Sequence, residues 1–302
     1  MAKAIKSVLA QTNIDYELVI MDDGSTDNSF EIASKTIEGR GNCQVYRQQN
    51  AGVSMARNNA VALSHGDYIC FLDADDWWSP CFLTEMAGLI DAYPEAGIYG
   101  TGYTIVDETR KRTRVAPIGV EPGFDKGYIN YCKVYAKTLA MPLWTGAVCI
   151  PRAIFEEMKG FPMGIKLGED FLLWIKIALR YKVAFLNKPL SFYNQDVEMA
   201  GRGVVSKGYD PDSFMTFHFD QFAEQEKQDP ELKILLDRLR TYSLLRFRFS
   251  NSHKEKVSRE IAKVDFSNVD KVYWFYYKMP FPLIWCCNKF RTFASRLKNW
   301  IR

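Results

Sequence analysis

The run Tyr68-Ile-Cys-Phe-Leu-Asp-Ala-Asp-Asp-Trp-Trp78 passes from apolar to acidic within a few residues. Like charges repel, and desolvating a carboxylate is costly. Three carboxylates at the end of what reads as a buried strand therefore ask for a purpose. Asp73 and Asp75 flank a small residue, so an extended or turning backbone brings both toward one point. Hard divalent cations such as Mg²⁺ or Mn²⁺ take oxygen ligands, commonly one or two carboxylates plus substrate phosphates. A cation held there would relieve the repulsion and stabilise a departing diphosphate. The alternative is a capped turn with solvated acids, and an Asp-x-Asp pair alone does not decide between the two.

The surrounding elements have to position that loop. Ile5, Val8 and Leu9 recur at helical spacing over residues 2–11. Residues 17–21 read as a short strand ending in Asp22-Asp-Gly-Ser-Thr-Asp27, where Asp27 can cap the helix of Phe30, Ile32 and Ala33. A strand at Val45 and Tyr46, a helix over 52–63 and the strand 68–72 follow. Pro80 opens a helix continued by Phe82, Met86, Leu89 and Ile90, and 98–103 is strand-like. Arg110-Lys-Arg-Thr-Arg114 reads as a solvated hairpin. Strand 147–150, helix 152–158, an amphipathic helix after Gly168-Glu-Asp170 and strands 183–186 and 190–193 complete this half. Residues 230–249 read as one helix. The alternation predicts an α/β fold, a parallel sheet with helices on both faces. Ligands bind such sheets at the carboxyl ends of strands, where Asp22-Asp23 and Asp73-Asp75 both fall.

The combined pattern resembles family 2 glycosyltransferases, which have the nucleotide-sugar-binding GT-A fold. The matching segments are Ser7-Val-Leu-Ala-Gln-Thr12, Tyr16-Glu-Leu-Val-Ile-Met-Asp-Asp-Gly-Ser-Thr-Asp27, Gln49-Asn-Ala-Gly-Val-Ser-Met-Ala-Arg-Asn58, Gly66-Asp-Tyr-Ile-Cys-Phe-Leu-Asp-Ala-Asp-Asp76 and Gly168-Glu-Asp170, in matching order over roughly residues 1 to 200. The resemblance implies that Asp22 and Asp23 contact the base and ribose of a nucleotide-sugar donor, most simply a UDP-sugar. Carboxylates suit that role because they accept hydrogen bonds from base N–H and ribose hydroxyls. The other reading of this loop is a helix cap. The resemblance also places Arg57 near the donor, where a guanidinium donates to phosphate or base carbonyl; an ordinary salt bridge is the alternative. Asp75 becomes the direct ligand of a Mg or Mn ion, Asp73 a ligand that also reaches the ribose, and Asp76 a cap for the next segment.

Glu169 and Asp170 match the family's acidic pair, with Asp170 as the general base for an acceptor hydroxyl. The helix N-terminus would hold it ionised; the plain alternative is ordinary N-terminal helix charge. Trp144 sits where acceptor sites are shaped and is either a sugar-stacking ring or a core aromatic. Arg202 and Ser206, in a glycine-rich stretch, belong either to a loop closing on the diphosphate or to a linker. Attack from the face opposite the nucleotide inverts the anomeric carbon. Family members normally begin with an apolar strand, interior to the sheet, and none opens this sequence. Its neighbours are expected to lack ladder partners, and a donor-site loop with it.

The 302 residues are 47% hydrophobic and 25% charged, enough for a sizeable core. A net charge of +3 gives no argument for nucleic acid. Seven cysteines without a Cys-x-x-Cys pair point away from a disulfide framework or zinc site and toward a reducing compartment. Met1-Ala-Lys-Ala-Ile5 carries no secretory apolar region, and no uncharged apolar run reaches the ~18 residues of a spanning helix. After Asp270 the chain has no acidic residue, while Lys271, Lys278, Lys289, Arg291, Arg296, Lys298 and Arg302 are interleaved with aromatics. Such a tail either meets an anionic membrane surface or packs on protein. The expected organisation is a GT-A domain over 1–205 and a helical extension over 206–302. The expected setting is cytoplasmic, peripheral on the inner membrane face, with a glycan or lipid-linked acceptor. A nucleotide-sugar-binding protein without activity and a metal-dependent phosphohydrolase are the competing readings.

Overall fold

Ile5 and Val8 are both buried along α1 (Ala2–Leu9), but they serve different cores. Ile5 packs with Ala33, Ile37 and Cys43, over the strands β1 (Leu18–Asp22) and β2 (Cys43–Arg47) and the helix α2 (Ser29–Thr36) between them. Val8 packs with Trp78, Phe82 and Met86. β1 and β2 form a parallel pair running from Leu18 opposite Cys43 to Asp22 opposite Arg47. The computed structural model describes residues 1–12, 14–195 and 210–283.

After α3 (Val53–Ala62) come β3 (Tyr68–Cys70), β4 (Trp77–Trp78), α4 (Phe82–Ala92), β5 (Ala96–Asp107) and β6 (Arg112–Val115). β7 (Lys126–Ile129), α5 (Tyr131–Thr138), β8 (Val148–Pro151), α6 (Arg152–Glu157), α7 (Glu169–Ala178) and β9 (Lys182–Asn194) follow. The larger sheet has the order β3-β8-β5-β9-β4, with β6 on β5 and β7 on β9. The α/β class holds, but the wholly parallel sheet does not. Among the described residues only β1–β2 and β5–β9 are parallel; β8 inserts between β3 and β5 in the opposite direction. Alternating apolar runs reveal that a strand exists, not which way it runs. Among the described residues no ladder joins β1 to β3.

The two closing strands expected at 183–186 and 190–193 are one continuous β9. Its register with β5 jumps from Thr101 opposite Leu186 to Gly102 opposite Pro189. Proline offers no ladder N–H, so the extra residues are accommodated as a bulge. The strands approach closely there: a Cβ on Gly102 would lie 3.2 Å from the Lys188 carbonyl carbon. α7 is apolar nearly all round, with Phe171, Leu172, Leu173, Trp174, Ile175 and Ile177 buried, which makes it a central helix rather than a surface one.

The chain divides into two compact units, residues 1–208 and 209–302. The second contains α8 (Ala223–Gln228), α9 (Pro230–Ser243), α10 (Leu245–Ser250), α11 (Lys254–Ile261) and α12 (Lys271–Lys278). The helix expected over 230–249 is broken after Ser243. Leu236 and Leu239 before the break and Phe247 after it are all buried, so the apolar periodicity runs straight through it. Asp229 caps α9 by accepting from Glu231 N and Leu232 N, with Pro230 at the first helical position. The fully buried Arg240 binds Glu226 of α8 through both terminal nitrogens and lies 3.4 Å from Glu260 of α11.

Candidate active site

The loop after β3 sorts its three carboxylates. A turn closed by Asp76 N donating to Asp73 O leaves Asp75 exposed, Asp73 half-buried and Asp76 buried. Asp76 does not cap the next segment as expected. Its Oδ1 accepts from Asn194 N at 2.8 Å, and its Oδ2 from Trp144 Nε1 at 3.2 Å. The inward side chain thus ties the loop to the end of β9 and to Trp144. Burial pushes its pKa up to about 7, and the negative Asp73 and Asp75 add to the rise against the Asn194 N–H.

Arg57 projects from α3 and joins two distant acids. Its Nη2 donates to Asp73 Oδ1 at 2.7 Å and its Nη1 to Glu169 Oε1 at 2.9 Å. Its guanidinium also lies over the Phe161 ring, 5.1 Å from the centroid. Burial opposes its charge, but Asp73 and then Glu169 outweigh that effect and its pKa is raised. The guanidinium is engaged as a salt bridge; of the two sequence readings, this is the one visible here.

Gly168, with φ of 85°, turns the chain into α7 in a conformation that side-chain-bearing residues rarely adopt. Glu169 and Asp170 then occupy the first turn, each 8% exposed. Asp170 Oδ1 accepts from Phe171 N at 2.7 Å and Oδ2 from the Thr145 hydroxyl at 2.8 Å. The helix N-terminus was expected to keep Asp170 ionised. Burial instead raises its pKa, opposed by Arg57, Thr145 and the Phe171 N–H. Glu169 is pushed up to about 7 by burial and by its neighbour Asp170, with Arg57 pulling it back. Carboxyls raised above their ordinary range suit proton transfer.

Asp22 and Asp23 lie at the carboxyl end of β1. Asp22 is buried and accepts from Ser25 N at 3.2 Å. Arg47 Nε lies 2.8 Å from its Oδ2, close enough to pair as charges although not aligned for a hydrogen bond. Asp23 accepts from Gln48 Nε2 at 2.7 Å, Ala51 N at 2.8 Å and Gly52 N at 2.9 Å. Asp23 thus braces the turn that starts α3, the helix of Arg57, whereas the Asp22 side chain holds its own loop and Arg47. Gln48 in turn accepts from Asn59 of α3 at 2.8 Å.

Trp144 packs on Tyr193 and Tyr103, with ring centroids 4.2 and 5.8 Å away, against a small core of Ile105, Ala116 and Ala147. Direct bonds therefore link Asp73, Arg57 and Glu169 in one set, and Asp170 with Thr145 and Asp76 with Trp144 in two others joined along the chain. Asp23 connects to the first set through the start of α3. Arg202 and Ser206 lie outside the described residues. Thr145 escaped the sequence reading although it adjoins Trp144; no spacing rule connects residue 145 to residue 170. Among the described residues no three His, Cys, Asp or Glu side chains converge as a metal cluster. Asp73 and exposed Asp75 offer two hard oxygen donors, the set that fits a Mg²⁺- or Mn²⁺-type ion sharing its shell with phosphates.

Residues 1–155 match the family model described as glycosyl transferase family 2. An uncharacterized glycosyltransferase of Rickettsia felis is 30% identical over 189 residues, covering 63% of this chain and 30% of that protein. The succinoglycan biosynthesis protein ExoU of Rhizobium meliloti is 43% identical over 202 residues, covering 60% of this chain and 55% of that protein. The chain thus spans only part of the length of these relatives. Staphylococcus aureus TarS residues 1–349, solved in complex with UDP-GlcNAc, superposes with a TM-score of 0.67 at 19% identity, covering 88% of this chain and 78% of that one.

Proposed function

Because the chain belongs to glycosyl transferase family 2, we propose that it moves a sugar from a nucleotide-diphosphate donor to an acceptor hydroxyl, inverting the anomeric carbon. The observation that carries this reading is the Arg57 bridge, which binds the metal-loop residue Asp73 and the acceptor-side residue Glu169 with one guanidinium. A phosphohydrolase would have no use for an acidic pair buried at the far end of that bridge.

In this mechanism Asp75 and Asp73 would hold a divalent cation, whose chemistry there would be to supply positive charge for the diphosphate. Asp22 and Asp23 shape the loop that receives base and ribose. Asp170 takes the proton of the acceptor oxygen as that oxygen attacks the anomeric carbon opposite the nucleotide. Arg57 holds Glu169 and Asp73 at fixed separation, and Trp144 presents an aromatic edge on the acceptor side. A UDP-sugar donor is supported by the fold shared with a protein crystallised with UDP-GlcNAc. A glycan or lipid-linked acceptor in polysaccharide synthesis is supported by the relative named for succinoglycan biosynthesis.

Peripheral attachment to the inner face of a membrane is part of the same proposal. Among the described residues no helix is long and apolar enough to cross one. On α12, however, Lys271, Trp274, Phe275 and Lys278 are all exposed, at the spacing of one helix face. Aromatic rings between lysines suit an anionic lipid surface.

The test is a panel of UDP-sugars with and without Mn²⁺, read by thermal shift and by UDP release in the presence of candidate glycan acceptors. One donor should stabilise the protein in a Mn²⁺-dependent way and be consumed. The Asp75→Ala variant should lose the Mn²⁺-dependent part; calorimetry giving it normal affinity for UDP with Mn²⁺ would remove Asp75 from the site. The specific observation favouring a binding protein without turnover is that, among the described residues, no ladder ties β1 to β3. Donor binding with no product across the panel would establish that reading.

A further inference from the structure

Trp144, Thr145 and Gly146 each grip a different part of the site. Trp144 Nε1 donates to Asp76 Oδ2 at 3.2 Å, and the Thr145 hydroxyl donates to Asp170 Oδ2 at 2.8 Å. The Gly146 carbonyl accepts from Trp78 Nε1 at 2.7 Å. Thr145, Gly146 and Ala147 form a buried 3-10 turn directly ahead of β8. A three-residue bracket therefore spans the metal loop, β4 and the acidic start of α7.

We propose that Thr145 is a positioning residue for the reaction: its hydroxyl fixes the rotation of the Asp170 carboxylate and favours the anion that accepts the proton. The proposal rests on the reading of Asp170 as the base. Asp170 accepts one hydrogen bond on each oxygen. The Phe171 N–H belongs to the same helical turn, so it moves with Asp170 and cannot set the carboxylate against the rest of the site. Thr145 comes from a separate segment and can. At 2% exposure its hydroxyl has little access to solvent as an alternative partner. An ionised carboxylate only accepts, so the hydroxyl must donate to it, and a bond to a charged acceptor is about twice as strong as a neutral one. Protonation of Asp170 removes that advantage.

Other groups also act on Asp170: Arg57 from α3, Asp73 from the loop after β3, adjacent Glu169, Tyr131 from α5 and Tyr103 from β5. None of them changes in Thr145→Val, which keeps the branched shape and deletes the donor. Thr145→Ser keeps the donor and deletes a methyl.

The decisive measurement is a titration of protein labelled with ¹³Cγ-aspartate, in which the signal missing from Asp170→Asn identifies Asp170. In Thr145→Val its midpoint should rise by about one pH unit or more, and in Thr145→Ser it should return to the wild-type value. An unmoved midpoint in Thr145→Val would overturn the proposal. Should Thr145→Val not fold, Thr145→Ala makes the same comparison. UDP release from UDP-glucose or UDP-GlcNAc with Mn²⁺ adds the kinetic arm. There kcat should fall about ten- to a hundredfold in Thr145→Val, with donor KM within about twofold and recovery in the serine variant. A fall that serine does not restore would reduce Thr145 to packing. If Asp170→Asn turns over at the wild-type rate, the base assignment fails, while the titration still reports whether Thr145 governs the carboxylate.

Discussion

Asp170 carries the sharpest consequence at the scale of single residues. The Asp170→Asn side chain keeps the shape and the hydrogen bond from Thr145 but cannot take a proton. General-base catalysis is typically worth ~10²–10⁴-fold, so turnover should drop by about that much while calorimetry shows donor binding intact. The pH profile follows from the direction of the shifts. Burial raises both Asp170 and Glu169, the latter to about 7. A raised carboxyl pKa means that the proton leaves only at higher pH. Turnover should therefore be lost as pH falls through a region above the ordinary carboxylate range, and an acid limb near pH 4 would contradict the buried base. Asp76 shows what residue types alone do not reveal. Three consecutive-looking acids in one loop have three fates, exposed, half-buried and buried, because one backbone turn aims their side chains differently.

At the scale of elements, α3 is the connector. Its start is pinned to the end of β1 by Asp23, its middle carries Arg57, and its last residues are held by Arg152, whose Nη1 donates to Val61 O at 3.1 Å. Arg57→Ala would leave Asp73 and Glu169 facing each other without a counter-charge. Breaking such a buried pairing costs about 3–5 kcal/mol, which a denaturant melt should read as a clear fall in midpoint. Arg57→Lys keeps the charge but lacks the fork, so it should restore most of the stability and little of the activity. Much of this was legible in advance: the helix over 52–63, the strand ending at the acidic loop and the helix opened by Glu169 are where periodicity put them. The bond partners were not. Arg57 meets residues 16 and 112 positions away, and the Thr145–Asp170 contact depends on how β8 and α7 stack, which local sequence does not encode. Strand direction was lost for the same reason, and β9 was split in two because Pro189 reads as a stop when it sits in a bulge.

For the molecule as a whole, the exposed face of α12 gives a test separate from chemistry. Sedimentation with vesicles containing anionic lipid should capture the protein, and added salt should weaken the capture. Charge reversal at Lys271 and Lys278, or alanine at Trp274 and Phe275, should each reduce it severalfold; equal capture by neutral vesicles would argue against a charged interface. The sheet arrangement has a different reach. Among the described residues β1 and β2 meet the rest of their unit through side chains such as Leu18, which packs into both cores, and not through a backbone ladder. Side-chain seams part at lower free energy than hydrogen-bonded sheets, and partial openings follow such boundaries. Here the seam runs beneath the catalytic frame, because α3 rests on β1 while its arginine clasps the loop of β3. Mild warming that merely loosens the amino-terminal pair would unclasp that arginine first, so this protein should fall silent well before it melts.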